Sequence, residues 1–165
     1  MRKLPLHVHS LLAHAAAVHP HAAVVSLSAS GEQHSSSYAE LAQAAARRAS
    51  ALLAMGIVPG DTLCSVGLSS VAQLEALYAA LSVGACTHLL NPQFDPEQAL
   101  ALVRQAAPRL LLHDDTTAPL ARQLHAALGA QTARLSTNVS WGTATAAREV
   151  AFKEELPTLV EQFCV

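Results

Sequence analysis

Apolar residues recur at three- and four-residue steps along several stretches of the chain, and short continuous apolar blocks separate those stretches. Behind Tyr38, the residues Leu41, Ala45, Ala49, Leu52 and Met55 place one apolar stripe on a helix face. Ser37-Tyr38-Ala39-Glu40 ahead of them has the form of a capping box, in which a serine oxygen accepts the backbone N–H three residues on and the glutamate reaches back. Gly56 then supplies a left-handed stop. Pro59-Gly60 marks a turn, and Thr62 to Leu68 reads as a buried strand. Ser70 with Gln73 caps a second helix, whose Val71, Leu74, Leu77 or Tyr78, and Leu81 share a face and which Gly84 ends.

The alternation continues with strand Ala85–Leu90, a helix from Pro96 to Ala107, strand Arg109–His113, and a helix begun at Thr117 with Leu120, Leu124 and Leu128 in register and Gly129 behind them. At the corner between the first two of these, Asp95 is the expected N-cap, Pro96 fits the first helical position where its missing N–H is harmless, and Gln98 is placed to complete a box. Upstream, a helix from Val8 to Val18 is stopped by Pro20, followed by a β-compatible run Ala22–Leu27 and a polar turn, "SASGEQHSS". Short strands between longer helices predict an α/β fold, with alternating helices and mostly parallel strands in a sheet covered on both faces. The rhythm fades after a strand near Ala133–Ser136, and Pro157 breaks the one helix-like run within residues 137–165.

Composition narrows the function classes. The 165 residues carry 10 basic and 12 acidic side chains, a net charge of −2, with no basic stripe to follow a phosphate backbone, so nucleic acid is not an expected partner. Hydrophobic residues make up 52% but aromatics only 4%, so the apolar content is largely alanine and reflects close helix packing. His7, His9 and His14 interrupt the apolar start, leaving no export signal core, and no run has the length of a transmembrane segment. Cys64, Cys86 and Cys164 form no C-x-x-C pair and read as reduced, small core residues of a cytoplasmic protein.

Candidate chemistry is sparse. Five histidines fall within "HVHSLLAHAAAVHPH", but none are four apart and no cysteine or carboxylate lies close by, so solvated helix ends are the expected role. His113-Asp114-Asp115 follows a strand, where paired carboxylates suit magnesium binding or acid–base work; a polar cap is the reading favoured here. The glycines at 31, 56, 60, 67, 84, 129 and 142 spell neither nucleotide-binding fingerprint, and no G-x-S-x-G elbow occurs. Asn138-Val139-Ser140 matches a glycosylation acceptor by chance composition. No catalytic, cofactor-binding or metal-binding residue is therefore assigned.

Taken in order, "SYAELAQAAARRASALLAMGIVPGDTLCSVGLSSVAQLEALYAALSVGACTHLLNP" resembles the N-terminal part of the adenylate-forming (AMP-binding) superfamily. The likeness rests on Tyr38-Ala39-Glu40-Leu41, on Gly56-x-x-Pro59-Gly60-Asp61, on Val83-Gly84-Ala85 and on Leu90-Asn91-Pro92. Within the superfamily it is similar to the medium- and long-chain fatty-acid CoA ligases, through His88-Leu89-Leu90-Asn91-Pro92 with one inserted residue, Pro96-Glu97-Gln98, and "RLLLHDD". The opening "PLHVHSLLAHAAAVHPHAAVVS" and "FKEEL" at 152–156 extend the similarity across nearly the whole chain.

The resemblance implies a parent reaction in which a fatty acid and ATP form an acyl-adenylate that is passed to CoA, using ATP, magnesium and CoA. In that family the ATP phosphates lie on a Ser/Thr-Gly-rich loop ending in Pro-Lys-Gly, and later motifs and a mobile C-terminal domain complete the site. The expectation is that residues 1–165 are a partial N-terminal AMP-binding domain ending before the phosphate loop, a fragment or truncated form that binds no cofactor and is inactive alone. Two alternatives stand beside it. One is a non-catalytic module that homo-oligomerises or docks on a complete synthetase through an uncovered apolar face. The other is a small ligand-binding domain that shares only the architecture.

Overall fold

The structure, a computed structural model, describes residues 7–28 and 30–128. Helix α1 (Val8–Val18) is followed by strands β1 (Ala23–Leu27) and β2 (Gln33–Ser37), helix α2 (Tyr38–Ala54), strand β3 (Thr62–Val66) and helix α3 (Val71–Ser82). Strand β4 (Cys86–Leu90), helix α4 (Pro96–Ala106), strand β5 (Leu110–His113) and helix α5 (Ala118–Leu128) complete the described part.

β3 lies between β4 and β5 and is parallel to both, with Leu63 opposite Thr87 on one side and Leu110 on the other. Because side chains alternate across a strand, the two faces of this sheet carry separate cores. Leu63, Leu110 and Leu112 pack with Ala49 and Leu52 of α2 and Ala76, Ala79 and Ala80 of α3. Cys64, Val66, Leu90 and Leu111 pack with Ala99 and Val103 of α4 and Ala121 and Leu124 of α5. Alanine at the helix positions lets the helices approach the sheet closely, which accounts for the alanine-rich, aromatic-poor composition. The expected α/β architecture, with its parallel sheet covered on both faces, is the observed one.

The capping box at α2 forms as expected: the Ser37 hydroxyl accepts the Glu40 N–H at 3.2 Å and Glu40 Oε2 accepts the Ser37 N–H at 2.8 Å. The Ser37 N–H, and then the Ser37 hydroxyl donating to the same Oε2 at 2.9 Å, hold the Glu40 carboxyl below its ordinary range. At α4, Asp95 caps and Pro96 opens the helix, but the carboxylate takes the N–H of Glu97 at 2.9 Å, one residue earlier than a box with Gln98 requires.

Two expectations are corrected. The polar turn after β1 contains a strand: β2 pairs antiparallel with β1 from Ala23↔Ser37 to Leu27↔Gln33, and its serines carry no apolar alternation to announce it. Its register comes from backbone pairing around a turn closed by Ser28 N–H to the Glu32 carbonyl at 2.8 Å. Cys86 is exposed, because it begins the edge strand β4, whereas Cys64 is fully buried on the central strand. Arg48, on which the sequence carries no expectation, is buried between α2 and α3 and pairs with Glu75. The strand near Ala133–Ser136, Gly129, the Asn138-Val139-Ser140 acceptor, FKEEL at 152–156 and Cys164 lie outside the described residues.

Candidate functional site

In open parallel sheets ligands gather outside the carboxyl ends of the strands. Here that rim is made by the loops after β3, β4 and β5. β3 ends at Val66, and Gly67 follows with so little room that an added Cβ would stand 3.0 Å from Asp114 Oδ2. The next residue, Leu68, donates its N–H to that same Asp114 oxygen at 2.8 Å.

Asp114, just beyond β5, is the hub of the rim. Its Oδ1 accepts from the Thr117 N–H at 2.8 Å and the Thr116 hydroxyl at 2.6 Å, and the Thr117 hydroxyl lies 2.9 Å away. Thr117 is buried, and its hydroxyl also reaches the Val66 carbonyl at 2.6 Å, so one aspartate and one threonine join β3, β5 and the start of α5. Burial pushes the Asp114 carboxyl up, but the bonds from Thr116, Leu68 and Thr117 outweigh it and hold the group below its ordinary range. The neighbouring His113 places Nδ1 2.9 Å from the Asp114 carbonyl, an acceptor that selects the tautomer protonated at Nδ1.

After β4, Asn91 Oδ1 accepts the Gln93 N–H at 3.0 Å and the Asn91 carbonyl accepts Phe94 N–H at 3.3 Å, giving a turn that delivers Asp95 to the head of α4. Asp95, Pro96, Glu97 and Gln98 line an open depression with Gln123 of α5. The groups on this rim thus close loops and cap helices. Among the described residues, no group of three or more His, Cys, Asp or Glu side chains is positioned to hold a metal ion.

Gly56-x-x-Pro59-Gly60-Asp61 and Val83-Gly84-Ala85 sit at the opposite, amino end of the sheet. Gly60 donates its N–H to the Gly84 carbonyl at 2.9 Å, clasping the turn before β3 to the turn before β4. Asp61 Oδ2 accepts the Val58 N–H at 2.8 Å within the first turn and lies 3.3 Å from Arg109 Nη1, just before β5. Gly84 has φ +73°, and a Cβ there would meet Pro59 at 3.1 Å, so only glycine fits the clasp. The histidines of the amino-terminal stretch stay dispersed apart from His7 and His9, whose rings stack with centroids 5.3 Å apart; burial, then the neighbouring His7, lowers the pKa of His9.

Sequence reasoning missed one buried polar group in this framework, the Arg48–Glu75 pair, for which spacing offered a weak signal: Arg48 is three residues beyond Ala45 and four before Leu52, on the apolar stripe of α2.

Comparison with known proteins agrees with this architecture. Residues 12–161 match the family described as AMP-binding enzyme. The medium-chain-fatty-acid–CoA ligase of Ectopseudomonas oleovorans is 34% identical over 128 residues, 78% of this chain and 23% of its own. The long-chain-fatty-acid–CoA ligase of Thermus thermophilus is 32% identical over 123 residues, 74% of this chain and 23% of its own. The chain therefore spans under a quarter of the length of these relatives, and the match falls on their N-terminal part. Among solved structures, that of VinN superposes with a TM-score of 0.68 at 20% identity, covering 95% of this chain and 35% of that one. A fatty acyl CoA synthetase from Mycobacterium tuberculosis superposes at 0.61 and 21% identity, covering 69% of this chain and 22% of its own, and both likenesses speak for the fold. With the family match running over residues 12–161, the chain belongs to the AMP-binding enzyme family.

Proposed function

We propose that the chain is a framework portion of a fatty-acyl-CoA synthetase, corresponding to the N-terminal AMP-binding domain ahead of its phosphate loop, and that it forms no acyl-adenylate by itself. The parent reaction joins a fatty acid to ATP, releases diphosphate, and passes the acyl group from AMP to the CoA thiol. Its natural setting is fatty acid metabolism in the cytoplasm, where thiols such as Cys64 and Cys86 stay reduced.

The observation that carries this reading is the work done by the matching residues. Glu40 caps α2, Gly60 and Gly84 clasp the amino end of the sheet, Asn91 and Asp95 turn β4 into α4, and Asp114 ties β3 to α5. Each places backbone. Adenylation requires something else: positive charge and N–H donors around the phosphate as negative charge develops, with the carboxylate held in line for attack. Asp114 already accepts from Leu68, Thr116 and the Thr117 N–H, and the rim's other carboxylates, at Asp95, Glu97 and Asp115, would repel a triphosphate.

ATP–diphosphate exchange tests the proposal. The purified chain, given a medium-chain or long-chain fatty acid with magnesium and ATP, is expected to catalyse no exchange above a protein-free blank. Exchange that depends on the fatty acid would overturn it. A non-catalytic interaction role is the second reading, favoured by the exposed apolar side chains Val25 and Leu27 on β1.

A further inference from the structure

Among the described residues β1 and β2 form a sheet of their own, and β1 is paired on one side only. Isolated two-stranded sheets are marginal in water, and a third strand or a packed face is needed to hold them. One face of this hairpin is packed. Val24 lies against the cluster of Leu12, Leu41 and Ala45, and the Ser26 hydroxyl accepts the Val71 N–H at 3.4 Å. These contacts fix which residues of β1 face outward. They are Ala23, Val25 and Leu27, of which Val25 is 53% and Leu27 66% exposed.

The backbone follows the same alternation. Ala22 and Ser28 are joined to β2 through Tyr38 N–H to the Ala22 carbonyl and Ser28 N–H to the Glu32 carbonyl. Antiparallel ladders bond every second residue, so Val24 and Ser26 complete that side, while the N–H and C=O groups of Ala23, Val25 and Leu27 point to the free edge. Among the described residues no other hydrogen bond engages those groups. An edge of this kind, uncharged from Ala22 to Leu27 and lacking proline, is a template for another strand.

We propose that β1 associates with β1 of a second copy of this chain, antiparallel and centred on Val25, to make a four-stranded sheet across a two-fold axis. The strand is complementary to itself in this register. Val25 faces Val25 of the second copy and Ala23 faces Leu27, so a small residue meets each large one and about six backbone hydrogen bonds form. Charge favours this direction. Antiparallel pairing sets the two hairpin tips, each with Glu32, at opposite ends of the joined strands, whereas parallel pairing sets Glu32 against Glu32. The pairing also gives the hairpin the additional strands that its own two lack.

Sedimentation of the purified chain across the micromolar to millimolar range tests the proposal. A reversible monomer–dimer equilibrium that stops at the dimer is expected. Val25→Lys should weaken it at least about tenfold, since a lysine at an edge blocks strand pairing. Leu27→Lys, at the more exposed position, is the second variant should Val25→Lys perturb the circular dichroism spectrum. Leu89→Lys, on the exposed rim of β4, should leave the dimer unchanged. A chain monomeric throughout, growth past the dimer, or association lost with Leu89→Lys and kept with Val25→Lys would overturn the proposal. So would a complex with an added fatty-acid–CoA ligase that displaces the dimer and is lost with Val25→Lys, which would assign the edge to that enzyme.

Discussion

Replacing Arg48 by Met should be among the most damaging single changes on the chain, and replacing Glu75 at the same time should undo most of the damage. The Arg48 side chain is 8% exposed and that of Glu75 13%, and they pair between α2 and α3, the helices that cover one face of the sheet. Burial lowers the pKa of Arg48 and the Glu75 charge raises it again, the signature of a cation removed from water and held by an opposite charge. Breaking a buried pair by removing one member costs about 3–5 kcal/mol, because the other charge stays desolvated and alone. Replacing both by apolar residues of similar volume is close to neutral. With Glu75 retaining some contact with water, Arg48→Met and Glu75→Leu should each cost about 3 kcal/mol, and the double variant about 0–1 kcal/mol. In urea, with a slope of about 2 kcal/mol per molar, each single change moves the midpoint down by about 1.5 M and the double change by under about 0.5 M. Equilibrium unfolding of the four proteins, followed by far-ultraviolet circular dichroism, reads these shifts. A single variant within about 1 kcal/mol of the parent, or a double variant destabilised by the sum of the singles, would refute the reasoning.

Gly84→Ala should destabilise by about 1–2 kcal/mol, since it forces a side chain into a left-handed conformation and against Pro59; an unchanged urea midpoint would contradict the clasp. Asp114→Asn should flatten the acid limb of the stability curve. The Asp114 pKa is depressed on folding, so its contribution is fully present above the unfolded pKa of about 3.9 and is lost as pH falls through the lower folded value; thermal melts from neutral pH down to strong acid that superimpose for parent and variant would count against the hub. The two described cysteines should differ in reactivity: burial pushes the Cys64 thiol up to about 12, while Cys86 is exposed, so iodoacetamide at mildly alkaline pH should label Cys86 in the native protein and Cys64 only after unfolding, as read by peptide mass mapping. Equal labelling of the two in the native state would contradict the burial.

Where the chain's side chains carry the structural signal, the sequence is easy to read. The capping box at Ser37 and Glu40, the glycine stop at Gly56 and the three apolar strands of the parallel sheet all fall where pattern places them. β2 was hidden because its five residues are glutamine, histidine and serines, and its pairing is a property of the backbone with β1. Arg48 was hidden because a guanidinium on an alanine-rich helix looks solvated until its partner, 27 residues on, is placed beside it. The exposure of Cys86 depends on β4 being the sheet's edge, and strand order is not written in any local stretch. At the rim, Asp114 could be read as a cap from its place after β5, but its bond to Leu68 joins residues 46 apart and only the fold reveals it.

The central proposal is that this AMP-binding family framework positions backbone and does not carry out adenylation by itself. Mass spectrometry of a quenched mixture of the purified chain, at stoichiometric concentration, with ATP, magnesium and a medium- or long-chain fatty acid tests it most directly, because acyl-AMP would be seen even without turnover. The account predicts no acyl-AMP above the protein-free blank. Acyl-AMP accumulating in proportion to the protein would contradict it.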